Sequence, residues 1–285
     1  MSRSQILIVV AAIALVAAIF FLPKVVVNKE DKGSMAQANA AGSEAEGHSE
    51  DDGHNHAAEE TTAHMAATPE QVMALTTARA KYNKASDEQT RGRLAVELAE
   101  AFANANKYDS AGYFYEVAAN ARPGEQSFKK AGNAYYEAFT FAPTQERANE
   151  LGGKARSMYE RVLSNNPSDL DAKTNIAMTY IATSNPMQGI TLLREVIVTN
   201  PNHEKALFNL GILSIQSNQY DKAAERFQKL VSVNPEHVEG TFYLAVSLAE
   251  TGQNEEAKRL FNKVKGMSND PALAASVDEY LAKLN

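Results

Sequence analysis

The sequence predicts an all-α protein, a solenoid of stacked helix pairs preceded by a membrane-spanning helix. Two observations carry the solenoid. Three Asn-Pro pairs, Asn166-Pro167, Asn200-Pro201 and Asn234-Pro235, recur at intervals of 34 residues, a period that marks a helical repeat array. Between them the apolar residues follow the 3.6-residue period of amphipathic helices. A third observation carries the span: Ile6 to Leu22 is an unbroken run of 17 apolar residues.

The unit from Glu204 to His237 shows the repeat most plainly. Leu207, Leu210 and Gly211 lie on one face of a first helix, and a glycine at 211 lets a second helix approach closely. Tyr220, Ala223, Phe227 and Leu230 form the apolar stripe of that second helix. Asn234-Pro235 stops it, because proline disfavours helical geometry in the residue before it and has no amide to donate. A shift of 34 recovers the same residue types: Ala223 maps to Gly189 and Ala257, Phe227 to Phe261, Leu193 and the core ring Tyr159, Gly211 to Ala177 and Ala245. An earlier unit reads off Leu98, Ala99, Phe102, Tyr108, Ala111, Tyr115 and Ala118. The unit after it runs 23 residues from Gly132 to Ala155 where 12 separate Gly211 from Ala223. It therefore holds an insertion of 11 residues, centred on Phe141-Ala142-Pro143-Thr144.

These residues at this spacing resemble the tetratricopeptide repeat family over about residues 92–271. The resemblance implies a right-handed α-solenoid of helix–turn–helix units, five here, whose first helices line a concave groove that binds other chains. A final helix from Pro271 to Leu284, apolar at Leu273, Val277, Tyr280, Leu281 and Leu284, reads as the cap that closes the stack. At the other end Thr68-Pro69-Glu70-Gln71 is a helix start with a capping box and proline at the first position. The solenoid domain is thus expected over 69–285.

The same resemblance nominates groove residues. One subclass of the family grips the terminal carboxylate of a partner with a Lys–Asn pair, a second Asn, and then Lys and Arg from the next repeat. Lys129 and Asn133 match the pair, Asn175 the second Asn, and Lys205 the next Lys. Asn209 stands where Arg would be and supplies neither its fork nor its charge. Ammonium groups and amide donors converging on a carboxylate make charge-assisted hydrogen bonds. An alternative groove is apolar: Phe208, Ile212, Phe242, Tyr243 and Val246 fall at groove-facing positions and would suit an amphipathic partner helix. His203 and His237, one repeat apart after successive prolines, read as loop residues with no third metal ligand nearby.

Residues 1–29 read as an uncleaved anchor. The run from Ile6 to Leu22 would span roughly 25 Å as a helix, slightly under a ~30 Å hydrocarbon core, and Val25 to Val27 extend it if Lys24 snorkels. Small-residue cleavage sites at Ala36 to Ala40 lie too far past the run for a signal peptidase. Lys24, Lys29 and Lys32 after the span point the body towards the cytoplasm by the positive-inside count. A short basic leader at the very start is how an exported chain begins, and an extracytoplasmic body is the expectation. Residues 30–68 are acidic and poor in apolar side chains, the composition of a flexible tether, with an r.m.s. span of roughly 30–40 Å. His48, His54, His56 and His64 sit in it among acidic residues, a set of imidazole and carboxylate groups able to ligate zinc, copper or nickel.

Composition excludes several functions. The chain has no cysteine, so disulfides and thiol nucleophiles are absent. No glycine-rich phosphate loop, HExxH helix or nucleophile elbow occurs, and no cofactor motif. With 28 basic against 35 acidic residues and no basic stripe, nucleic acid is an unsuitable partner. The expected function is a non-enzymatic, membrane-tethered scaffold that binds protein segments in its groove. In layout it resembles bacterial proteins with one N-terminal anchor and a C-terminal repeat domain, some of which hold export or assembly clients. The alternatives are a metal-binding histidine tether on an inert scaffold, and a self-associating envelope component.

Overall fold

The computed structural model describes residues 67–183 and 185–284. The predicted span and its flanks, and the tether with His48, His54, His56 and His64, lie outside the described residues. Among those described, the chain forms twelve α-helices, and no helix is long and apolar enough to cross a membrane. They are α1 (Pro69–Asn83), α2 (Glu88–Asn104), α3 (Tyr108–Ala121), α4 (Glu125–Thr140), α5 (Gln145–Asn165) and α6 (Leu170–Ile181). The second half holds α7 (Pro186–Thr199), α8 (Glu204–Gln216), α9 (Tyr220–Val233), α10 (Val238–Glu250), α11 (Asn254–Met267) and α12 (Pro271–Lys283). The five expected units are α2–α3, α4–α5, α6–α7, α8–α9 and α10–α11, flanked by α1 and α12.

The local signals explain the boundaries. Thr68 and Gln71 make the capping box: Thr68 Oγ1 accepts from the Gln71 amide at 3.3 Å, and Gln71 Oε1 accepts from the Thr68 amide at 2.7 Å. Each Asn-Pro pair is a four-residue link. The asparagine amide closes the outgoing helix, as from Asn234 to Leu230 O at 2.8 Å. Its side-chain oxygen then accepts the amide two residues on, at Ser168 (3.2 Å), Asn202 (3.0 Å) and Glu236 (3.2 Å), a local turn that asparagine favours. The fourth residue of each link caps the next helix. Asp169 accepts from the Ala172 amide at 2.9 Å, His203 Nδ1 from Ala206 at 3.3 Å and His237 Nδ1 from Gly240 at 3.0 Å. The two histidines are helix caps rather than free loop residues.

In two units, α4–α5 and α8–α9, the helices meet where a ring lies on a glycine. A Cβ at Gly211 would fall 2.5 Å from the Phe227 ring, and one at Gly132 would fall 2.9 Å from the Tyr159 ring. Both rings are fully buried. Successive first helices touch one another, α4 with α6, α6 with α8 and α8 with α10, more than successive second helices do. The first helices therefore form the inner layer of the curve and line its groove.

The insertion is helical. α4 and α5 have 16 and 21 residues where α8 and α9 have 13 and 14. Only one of the 11 inserted residues lengthens the turn. The longer hairpin reaches both neighbours: Arg147 Nη2 pairs with Asp109 Oδ2 of α3 at 2.9 Å, and Gln145 Nε2 donates to Ala182 O at the end of α6 at 3.1 Å. Three units are thus tied along one edge. The α7–α8 junction is sparser. A small cluster of Ala177, Leu193, Val196, Ala206 and Leu210 fills it, and polar contacts cross it.

The C-terminal units share a continuous run of rings. Phe208 meets Phe227 and Tyr243 edge-on, Tyr243 stacks on Phe227, and Phe242 meets Phe261 and Tyr280 edge-on. Tyr280 of α12 stacks on Phe261 at 5.2 Å and Val277 is fully buried, so α12 covers the end of the stack.

At Gly189, which aligns with Ala223 and Ala257, α6 and α7 approach more closely than their counterparts. A Cβ there would lie 2.3 Å from Ala177 O, a backbone atom that moves only if the helices part. Gly189→Ala should cost about 1–3 kcal/mol by overpacking, outweighing the ~0.5–1 kcal/mol that alanine gains in helix propensity. A urea titration reads this as a lower midpoint at unchanged slope.

Candidate functional site

The groove-facing residues nominated by the sequence fall on α4, α6, α8 and α10, and a hydrogen-bonded line joins several of them. At its centre is Tyr159 of α5. Its ring is held under Gly132, and its hydroxyl emerges between α4 and α6. The hydroxyl donates to Asn133 Oδ1 at 2.9 Å and accepts from Asn175 Nδ2 at 2.8 Å. Asn175 Oδ1 in turn accepts from Lys205 Nζ at 2.6 Å. Asn133, Asn175 and Lys205 are thereby ordered relative to one another across three consecutive repeats. Because its oxygen is taken by Tyr159, Asn133 has its amide hydrogens left for the groove.

Lys205 reaches the middle of this line with its ammonium 5.6 Å from the centre of the Tyr136 ring. Loss of water lowers its pKa, against the smaller raising influence of Asp171 and Glu137, and the like charge of Lys129 lowers it further. Lys205 as a residue is exposed, and its hydrogen bond to Asn175 is partly buried. Burial pushes the neighbouring Tyr136 hydroxyl up to about 12, so it stays a neutral phenol.

Lys129 lies in a different setting. Its Nζ is 2.6 Å from Asp169 Oδ2, whose side chain is 6 % exposed. The other oxygen of Asp169 is the cap of α6. The hydrogen bond to Asp169 holds Lys129 above its ordinary pKa, against a smaller lowering by burial. For Asp169, burial pushes the carboxyl up. The hydrogen bonds from Lys129 and the Ala172 amide, with the Lys129 charge, outweigh it and hold the group below its ordinary value. Asn209 is half-buried one turn along α8 from Lys205.

The apolar candidates are largely occupied by packing. Phe208 stacks on the His237 imidazole at 5.4 Å besides its contacts to Phe227 and Tyr243. Phe242, Tyr243 and Ile212 are half-buried, and Val246 is buried, so Val246 is a core residue and not part of the groove surface. Among the described residues no group of three or more His, Asp or Glu side chains is placed to hold a metal ion.

Sequence reasoning took Tyr159 for a core ring and gave Asp169 and Tyr136 no role. For Tyr159 a signal existed. Leu193, Phe227 and Phe261 fill the equivalent positions, and a hydroxyl at a buried site needs a polar partner.

Residues 214–277 match the family model described as a tetratricopeptide repeat. The match runs from the end of α8 into α12. No curated protein matches the chain. Among solved structures, a tetratricopeptide repeat protein from Parabacteroides merdae is 19 % identical, with a TM-score of 0.55 over 75 % of this chain and 82 % of that one. MamA from Desulfovibrio magneticus is 16 % identical, with a TM-score of 0.47 over 64 % and 97 % of the two chains. YrrB, described as having an unusual peptide-binding site, is 19 % identical, with a TM-score of 0.44 over 72 % and 98 %. At such identities the likeness concerns the fold alone.

Two outcomes follow from the geometry. Tyr159→Phe keeps the ring on Gly132 but leaves the buried Asn175 amide without its acceptor, at a cost of about 1–2 kcal/mol measurable by chemical denaturation. The Lys129–Asp169 pair should act within a pH window. A lowered carboxyl stabilises above its unfolded value of about 4, and that contribution is lost as pH falls through the native value. A raised lysine stabilises below its unfolded value of about 10.4, and that is lost as pH rises through the native value. Lys129→Met should therefore lower stability by about 1–3 kcal/mol at pH 7, with the deficit shrinking below pH about 4 in denaturation series.

Proposed function

We propose that the protein is a membrane-tethered scaffold whose tetratricopeptide groove holds a segment of a partner protein on the extracytoplasmic side of the membrane. The tether and its orientation rest on the apolar run from Ile6 to Leu22 and its short basic leader. The groove reading rests on one observation above all. The Lys205 ammonium is partly stripped of water, is fixed by Asn175, and has no carboxylate within ion-pair distance among the described residues. A cation held in that state is set to donate to an incoming acceptor, because its position is already fixed and part of its desolvation has already occurred. The Asn133 amide hydrogens lie along the same hydrogen-bonded line. Together they suit the carbonyl oxygens of an extended chain laid across α4, α6 and α8. A role in holding clients during envelope protein assembly agrees with this arrangement.

Binding of a labelled pool of eight-residue peptides to the full chain, followed by fluorescence anisotropy, tests the groove. Lys205→Ala should weaken binding about tenfold, equivalent to about 1.4 kcal/mol, while Lys205→Arg keeps the charge and loses less. Equal binding by the wild type and Lys205→Ala would remove the groove centre from the function.

A further inference from the structure

The position that caps each first helix is held by Asp169, His203 and His237 in three successive links, and by Gly124 in the one before. Among these four links only Asp169 places a negative charge there, while Asp87 caps α2, the first helix of the first unit. Capping does not require that charge, since asparagine and serine cap as well as aspartate. What the charge does is specific to this junction. One carboxylate oxygen takes the Ala172 amide and the other takes Lys129 at 2.6 Å. Lys129 is the residue that would otherwise offer a second ammonium beside Lys205, and the two lysines already act on each other electrostatically. The carboxylates that act on this pair are Asp169, Asp171, Glu125 and Glu137. With Asp169 in place, Lys129 is paired and Lys205, held by Asn175, is the groove-centre ammonium without a carboxylate at ion-pair distance among the described residues.

We propose that Asp169 is the specificity-determining residue of the groove: it occupies Lys129 as a partner's terminal carboxylate would, so the groove engages a chain through Lys205 without favouring a free C-terminus. This rests on the groove reading above. A ligand carboxylate that approached Lys129 would have to displace a buried, hydrogen-bonded carboxylate already at contact distance, and would gain little from the exchange. Internal strands or loops of a client, which bring carbonyl oxygens and side chains but no terminal charge, are therefore accepted as readily as chain ends.

The test compares two pools of the same eight-residue peptides, free acid and C-terminal amide, on the full chain by fluorescence anisotropy. The wild type should bind both pools within twofold of each other. Asp169→Asn keeps the cap and frees Lys129, and should tighten binding of the free-acid pool about tenfold with the amide pool unchanged. Adding Lys129→Ala to that variant should return the free-acid pool to the wild-type value, and Lys129→Ala alone should change little. If Asp169→Asn tightens neither pool, or both equally, the proposal is overturned. Asp169→Ser, which also caps, gives the same comparison should the asparagine variant melt early. Lys205→Ala separates the two levels of the argument. If that variant binds as the wild type does, the groove reading itself fails. If it binds weakly while Asp169→Asn leaves the acid and amide pools alike, only the role of Asp169 fails.

Discussion

A large ring seated on a residue without a side chain closes two of the five helix pairs of this array. Phe227 on Gly211 and Tyr159 on Gly132 bring the two helices of a pair closer than any Cβ would allow. That approach leaves each pair with apolar surface that only a neighbouring pair can cover, so the same contact that closes a unit obliges it to stack. Where the ring is phenylalanine the consequence ends in the core. Where it is tyrosine the ring has a polar end, and the close approach delivers that end into the groove.

The groove polar residues therefore answer to two demands. The Tyr159 hydroxyl is buried deeply enough that leaving it unpaired would cost on the order of 1–3 kcal/mol. Asn133 and Asn175 meet that need, and Asn175 then has an oxygen available to fix Lys205. Structural satisfaction comes first and pre-organisation of the lysine follows from it. The network also crosses the sparse α7–α8 junction, which the apolar cluster around Leu193 and Leu210 covers only thinly. Polar contacts at that junction both position Lys205 and link the repeats on its two sides.

Most of the fold was legible because its signals are local. The capping box at Thr68, the Asn-Pro links and the glycine at 211 each act within a few residues, and each has a single steric or hydrogen-bonding reason. The insertion was located but not its form, since nothing in Phe141 to Thr144 says how far the flanking helices continue. In the site, residue types were legible and partners were not. Lys129 meets Asp169 from 40 residues away, Lys205 meets Asn175 from 30 and Tyr159 meets Asn133 from 26. Such pairings depend on the stacking angle between units, which periodicity does not encode. Val246 is buried in the C-terminal cluster, and periodicity alone does not separate a groove-facing position from a packed one.

The capping position shows how one site can serve the fold without being fixed by it. A first helix needs an acceptor at its start, and carboxylate, imidazole nitrogen and a bare backbone all occur there, at Asp169, His203, His237 and Gly124. The stability requirement constrains hydrogen bonding and leaves charge free to vary. Yet at Asp169 the position lies within reach of Lys129, one repeat earlier. Exchanging one good cap for another therefore alters the charge at the edge of the groove with little effect on the helix. In a repeat array that freedom recurs at every junction, so the charge of the groove can change one link at a time while the stack is left intact.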